Sequence, residues 1–224
     1  GAGGNVSWKE EGILWVKASG TWLSDASIED IFLPTDLPYI RTAISEGRFD
    51  VTPLVKNETS LRPSIETLIH ALMPQRVVLH LHAIDVLSHL VRADCDVVLK
   101  KILPKNFSFV VVDYCKPGAD LAKSVYNKIQ SDEVSVVFLL NHGLVIAGES
   151  VGEVSATLNF ILEKLKSDIY VNDPVEFPII GLNTIKRLKR HGYIPTKSLK
   201  FNALAVNSNL SCIVETKWAM FPDH

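Results

Sequence analysis

The run Arg76-Val-Val-Leu-His80-Leu-His82 constrains the fold most. It is short, apolar and closed off upstream by Pro74, which describes a buried strand and leaves too few residues for a helix. Two further runs, 107–112 and 134–140, are dense in β-branched residues and also read as strands. Around them the apolar spacing changes to that of a helix. Ile65, Leu68, Ile69 and Leu72 predict a helix over 65–73, capped by Ser64 and ended by Pro74. Ile84, Leu87, Leu90 and Val91 predict another over 83–92, and residues 150–166 a longer one with a Glu/Lys-rich outer face. A chain that keeps switching between these two periods is of the mixed α/β class.

The flanks add detail. Residues 6–9 and 13–18 are β-rich and bracket Glu10-Glu11-Gly12, the pattern of a hairpin. Between Ser19 and Phe49 the breaks at Pro34 and Pro38 predict only a short helix. Asn141-His142-Gly143 separates two apolar runs, 134–140 and 144–147, as a tight turn does. With 224 residues, 47% of them apolar, one sizeable core is expected in residues 1–166. Asp173-Pro174 and Phe177-Pro178 mark a break, after which 167–224 reads as a C-terminal extension.

A formal net charge of −2 provides no field for nucleic acid or an anionic membrane, so a small-molecule partner is expected. No apolar run is long enough to span a bilayer and no secretory leader pattern opens the chain, so the expectation is a cytoplasmic protein. Cys95, Cys115 and Cys212 have no CxxC spacing. They suggest neither a disulfide framework nor a sulfur-ligated zinc site, and are expected to act as small buried hydrophobes.

The chemistry concentrates in Leu79-His80-Leu81-His82. On a strand, side chains at i and i+2 share a face, so His80 and His82 can grip one ion. His142, at the turn between two apolar strands, is the candidate third ligand. Glu66, expected in the first turn of the helix leading into the His80 strand, is the fourth. Three imidazoles and a carboxylate suit Zn2+ or another divalent first-row metal, and the carboxylate can leave to open a position for substrate. His70, one turn after Glu66, is the lesser competitor, and His89, His191 and His224 lack partner spacing. Ile84-Asp85 breaks the HxHxDH pattern of dinuclear hydrolases, and no glutamate follows the pair as a cupin requires. The glycine loop at Gly1–Gly4 is not a nucleotide fingerprint, since Val6 stands where glycine is needed. Backbone amides there, with Asn5, Ser19, Gly20, Thr21 and Ser64, are instead neutral donors suited to a phosphate.

Four segments, GGNVS (3–7), ASGT (18–21), SIET…HLH (64–82) and NHG (141–143), resemble the class II aldolase/epimerase family of fuculose-1-phosphate aldolase, rhamnulose-1-phosphate aldolase and ribulose-5-phosphate 4-epimerase. The wording VKASGTWL, LRPSIETLIHALMP and NHGLVIAGES is most similar to aldolase-like domains found with short-chain dehydrogenases. The resemblance implies an α/β/α three-layer sandwich around a largely antiparallel mixed sheet, and a homotetramer with sites between subunits. It implies metal ligands at His80, His82 and His142, and an acid/base at Glu66 that also touches the metal. It implies phosphate contacts from Asn5, Ser19, Gly20 and Ser64, and a proton donor at Tyr114 lent by a neighbouring subunit.

The implied activity is cleavage of a ketose 1-phosphate to dihydroxyacetone phosphate and an aldehyde through a metal-stabilised enediolate. A sugar-phosphate epimerase or dehydratase shares that chemistry, and a non-catalytic module like the adducin head shares the fold without the ligands. Ile65 departs from the second serine of fuculose-type enzymes, the Glu66–His80 connection is shorter than theirs, and no C-terminal tyrosine of theirs has a counterpart. The ends at Gly1 and His224 suggest a fragment of a longer protein.

Overall fold

The computed structural model describes residues 4–129 and 134–166, together with Lys186. The apolar runs assemble into one seven-stranded sheet: β1 (Asn5–Glu10), β2 (Ile13–Lys17), β3 (Phe32–Asp36), β4 (Val77–Leu81), β5 (Val110–Val112), β6 (Val136–Leu139) and β7 (Gly143–Gly148). Their order is β3-β2-β1-β4-β7-β6-β5. Every neighbouring pair is antiparallel except β5–β6. The β1–β2 hairpin forms as expected. Its turn holds Glu11 and Gly12 at φ 47° and 78°, the left-handed pair that matches strand twist.

Alternation along the strands divides the core. Val78, Val145 and Ala147 join Leu14, Val16 and Val137 on one face, under α1 (Leu37–Ser45), α2 (Thr67–Leu72) and α5 (Ala119–Lys128). Their neighbours Val77, Leu144 and Ile146, also buried, point the other way, where α3 (Ile84–Leu90) and α6 (Val151–Lys164) pack on β4 and β7. The remaining helix, α4 (Cys95–Ile102), packs against α3. This is the expected α/β/α sandwich around a largely antiparallel sheet.

The structure corrects several boundaries. The helix predicted from 65 begins at Thr67, with Glu66 as its N-cap. Ser64 Oγ accepts from Glu66 N at 3.2 Å and Ser64 O accepts from Thr67 Oγ1 at 2.6 Å, closing a turn ahead of the helix. Ile65 is consequently turned outward, 65% exposed. The stretch between Ser19 and Phe49 contains a 3-10 turn (Leu23–Ser27), β3 and α1, where only a short helix was expected. Pro34 is tolerated because β3 is an edge strand, and Pro38 because it lies in the first turn of α1, where Asp36 caps Tyr39 N at 2.9 Å. The extension 167–224, with Cys212, His191 and His224, lies outside the described residues apart from Lys186.

Candidate metal centre

β4 projects His80 and His82 from its end onto the face shared with α2, and the β6–β7 turn brings His142 beside them. The three ring centroids are 4.8, 5.0 and 5.1 Å apart. One nitrogen from each ring lies within 4.8 Å of the others. His80 Nδ1 faces the Leu144 carbonyl at 3.2 Å. A carbonyl only accepts, so Nδ1 carries the hydrogen and His80 Nε2 keeps its lone pair. That lone pair points at His82 Nε2, 3.0 Å away. The carboxylate of Glu66 completes the cluster, with Oε2 3.4 Å from His80 Nε2 and Oε1 3.2 Å from His142 Nε2.

This donor set fits a divalent cation. Nitrogens bound at about 2.0–2.1 Å in tetrahedral array lie roughly 3.3 Å from one another, close to the 3.0 Å between His80 Nε2 and His82 Nε2. Burial pushes His80 down to about 4, against the pull of Glu66, so its imidazole is neutral near pH 7 and available as a ligand. Burial opposes ionisation of Glu66, but His142, His80 and His70 beside it prevail and hold the carboxyl at about 2. The site thus offers a neutral His80 nitrogen and one anion.

Two glycines make the approach possible. A Cβ at Gly143 falls 2.7 Å from Leu81 O, 2.9 Å from His82 Cδ2 and 3.1 Å from His80 Cε1. A Cβ at Gly4 falls 2.6 Å from the His80 carbonyl, and Gly4 has φ 77°. Any side chain at either point drives the backbone away from the histidines.

Asn5 pairs in register with His80, and its amide reaches Ser64 Oγ at 3.0 Å and Glu66 Oε2 at 3.1 Å. It is thus a clamp on Glu66, a role its place in the glycine loop did not signal. Ser64 sits in the same buried network. Ser19 and Gly20 are exposed in the turn after β2, where Ser19 N donates to Arg62 O at 2.9 Å and Ala18 bridges Pro63. The two predicted phosphate segments therefore run side by side. Lys17, which the sequence did not single out, is buried beneath this turn. Its Nζ donates to Thr21 O at 2.7 Å and Ala18 O at 3.2 Å, and burial lowers its pKa.

His70 is fully buried, with Nδ1 2.7 Å from Ser7 Oγ, and does not join the convergent nitrogens. His89 Nε2 donates to Leu165 O at 3.1 Å. Cys95 is buried and Cys115 half-buried, both as free thiols. Tyr114 is 56% exposed in the segment after β5, and β7 and β6 separate β5 from the His80 strand. Within its own chain it stands at the far edge of the sheet.

Comparisons with known proteins identify the family of the chain. The family model "Class II Aldolase and Adducin N-terminal domain" matches residues 1–165. A curated relative, "Uncharacterized oxidoreductase YuxG" of Bacillus subtilis, is 29% identical over 77% of this chain, which spans only 27% of that protein. The N-terminal class II aldolase domain of a conserved Thermoplasma acidophilum protein superposes with TM-score 0.57 at 28% identity, covering 71% of this chain and 84% of that one. A sugar-phosphate aldolase from Thermotoga maritima shares the fold with TM-score 0.55 at 15% identity, covering 86% and 88%. With the model spanning all four histidine and carboxylate positions, the chain belongs to the class II aldolase and adducin N-terminal domain family.

Proposed function

We propose that this chain is a metal-dependent aldolase that cleaves a ketose 1-phosphate into dihydroxyacetone phosphate and an aldehyde. The observation that carries the reading is the convergence of the His80, His82 and His142 nitrogens, with the Glu66 carboxylate set against His80 and His142. His80, His82 and His142 would hold a divalent cation, Zn2+ by the nitrogen-rich donor set, which would supply Lewis acidity toward the oxygens of a ketose. Glu66 serves as acid/base, and Asn5 fixes where its Oε2 sits. The Ser19–Gly20 turn and Ser64, with Asn5, receive the phosphate. Tyr114 serves the site of a neighbouring subunit in a tetramer, handling the aldehyde-side hydroxyl.

An epimerase or dehydratase uses the same groups, and product analysis separates them. A non-catalytic module of the adducin-head kind has no need for three converging imidazoles, two of them buried. The test is elemental analysis of the purified protein, followed by a screen of ketose 1-phosphates for aldehyde release. About one divalent ion per chain is expected, lost in His80→Ala and His142→Ala. Full metal retention in both variants rejects the site, while metal without aldehyde release from any ketose phosphate rejects the aldolase reading alone.

A further inference from the structure

The face of β1 opposite the histidines carries a second cavity. Asn5 and Ser7 point toward Glu66 and His70, so Trp8 takes the other side of the strand. Trp8 and its cross-strand partner Trp15 stack with ring centroids 5.6 Å apart and planes 8° from parallel. Phe32 of β3 meets Trp8 edge-on at 4.9 Å. These rings help line a cavity of about 550 Å³. Glu29, Asp30 and Glu58 also line it, and among the described residues no lysine or arginine does. None of these three carboxylates makes an ion pair among the described residues.

Glu29, Asp30 and Glu58 give the cavity a negative lining beside its aromatic rings, and a cation complements that charge. Indole faces attract cations through the ring quadrupole. A guanidinium satisfies both demands at once, because it is planar, weakly hydrated and able to stack while donating to carboxylates. A neutral sugar can lie on the rings but leaves the charge uncompensated. Beside the cavity, the turn containing Ala26 leaves Trp22, Leu23 and Ile28 exposed by 52%, 46% and 79%. Apolar surface next to a charged pocket matches a protein partner better than a free small cation.

We propose that this cavity docks a partner protein through one arginine side chain, held by the Trp8–Trp15 pair and the carboxylates of Glu29, Asp30 and Glu58, with apolar residues flanking that arginine resting on Trp22 and Ile28. The site is separate from the histidine cluster and does not depend on the proposed reaction. The probe is an acetylated, amidated Ala-Leu-Arg-Leu-Ala peptide titrated into the metal-loaded full chain, beside the same peptide with citrulline, its uncharged near-isostere. The arginine peptide is expected to bind saturably and at least about tenfold more tightly than the citrulline peptide. In E29Q/D30N/E58Q that preference is expected to vanish while metal content stays unchanged. Absence of saturable binding, equal affinity for the two peptides, or an unaltered preference in the triple variant overturns the proposal. Equal affinity for free N-acetylarginine amide also overturns it, because the ligand is then a small cation.

Discussion

Asn5 holds Glu66 from across the sheet: its amide lies 3.1 Å from Glu66 Oε2 and 3.0 Å from Ser64 Oγ, inside a network closed to solvent. The first residue of β1 thereby sets the position of a carboxylate at the head of α2, sixty-one residues later. Asn5→Ala removes that donor and costs about 1–3 kcal/mol of stability, as a buried group left unsatisfied does. It is expected to lower kcat/KM for the cleaved ketose phosphate by about one to two orders of magnitude, because the acid/base loses its fixed position. Metal content is expected to persist, since the three histidines remain. Wild-type kcat/KM in a folded Asn5→Ala protein refutes the clamp.

Glu66→Gln separates the proposed proton-transfer role of this carboxylate from its structural one. The amide keeps the volume and still accepts from Asn5, so the fold and most of the metal are expected to remain. Turnover is expected to fall by about two orders of magnitude or more, the usual cost of removing a general acid/base. Steady-state kinetics on metal-loaded protein decide this, and an unchanged rate moves the role to another residue.

Gly143→Ala tests the packing beneath the metal centre. The added methyl lands 2.7 Å from a backbone carbonyl that cannot rotate away and 2.9 Å from the His82 ring, so the β6–β7 turn must back away from β4. Because His142 rides on that turn, metal affinity is expected to weaken by at least about tenfold, as displacement of supporting contacts usually causes. Competition with a chelator measures it. Wild-type affinity indicates that the turn adjusts without moving His142.

How much of this was legible in the sequence follows from which interactions are local. His80 and His82 were readable because strand alternation alone puts them on one face, and His142 because a glycine-flanked histidine between two apolar runs has to lie at a turn. The place of Glu66 at the N-cap position was not. Periodicity began the helix at Ile65, whereas the Ser64 side chain spends itself on Glu66 N and delays it. Helix α5 buries only Leu121, Ala122 and Val125 and α4 only Cys95 and Leu99, too few apolar positions to announce a helix. β3 was hidden by Pro34, a residue that rules out a central strand but not an edge one. Lys17 was opaque for another reason: its partners are carbonyls of a turn that exists only once the chain has folded.

Metal-free protein is expected to lose stability on acidification through a definite window. Burial lowers His70 to about 3 and His80 to about 4 in the folded state, against an ordinary value of 6.5. Above that ordinary value both states hold these rings neutral, and the full stability is present. As pH falls below it, the unfolded chain binds protons that the folded chain refuses, so stability declines from about pH 6.5 toward pH 4. Glu66 extends the loss below 4.5, because its folded carboxyl is held at about 2 and the unfolded chain protonates first. Thermal midpoints across this range, measured with a chelator present, are expected to fall continuously. In His70→Asn, which removes one of the buried rings without touching the three converging nitrogens, the slope between pH 6.5 and 4 is expected to be shallower. An identical slope rules out His70 as a contributor.

The last prediction concerns Tyr114. It is exposed beyond β5, with β6 and β7 between its strand and β4, so it stands far along the sheet from the histidines of its own chain. If it completes the site of a neighbouring subunit, Tyr114→Phe lowers aldol cleavage by about two orders of magnitude, the usual range for a lost proton donor, while sparing metal content. Mixing Tyr114→Phe chains with Glu66→Gln chains then creates interfaces that pair an intact Glu66 with an intact Tyr114. Co-refolded mixed oligomers are therefore expected to recover a fraction of wild-type activity that neither variant shows alone. Mass spectrometry verifies the mixing, and an absence of recovered activity in verified mixed oligomers rules out a site shared between these two residues.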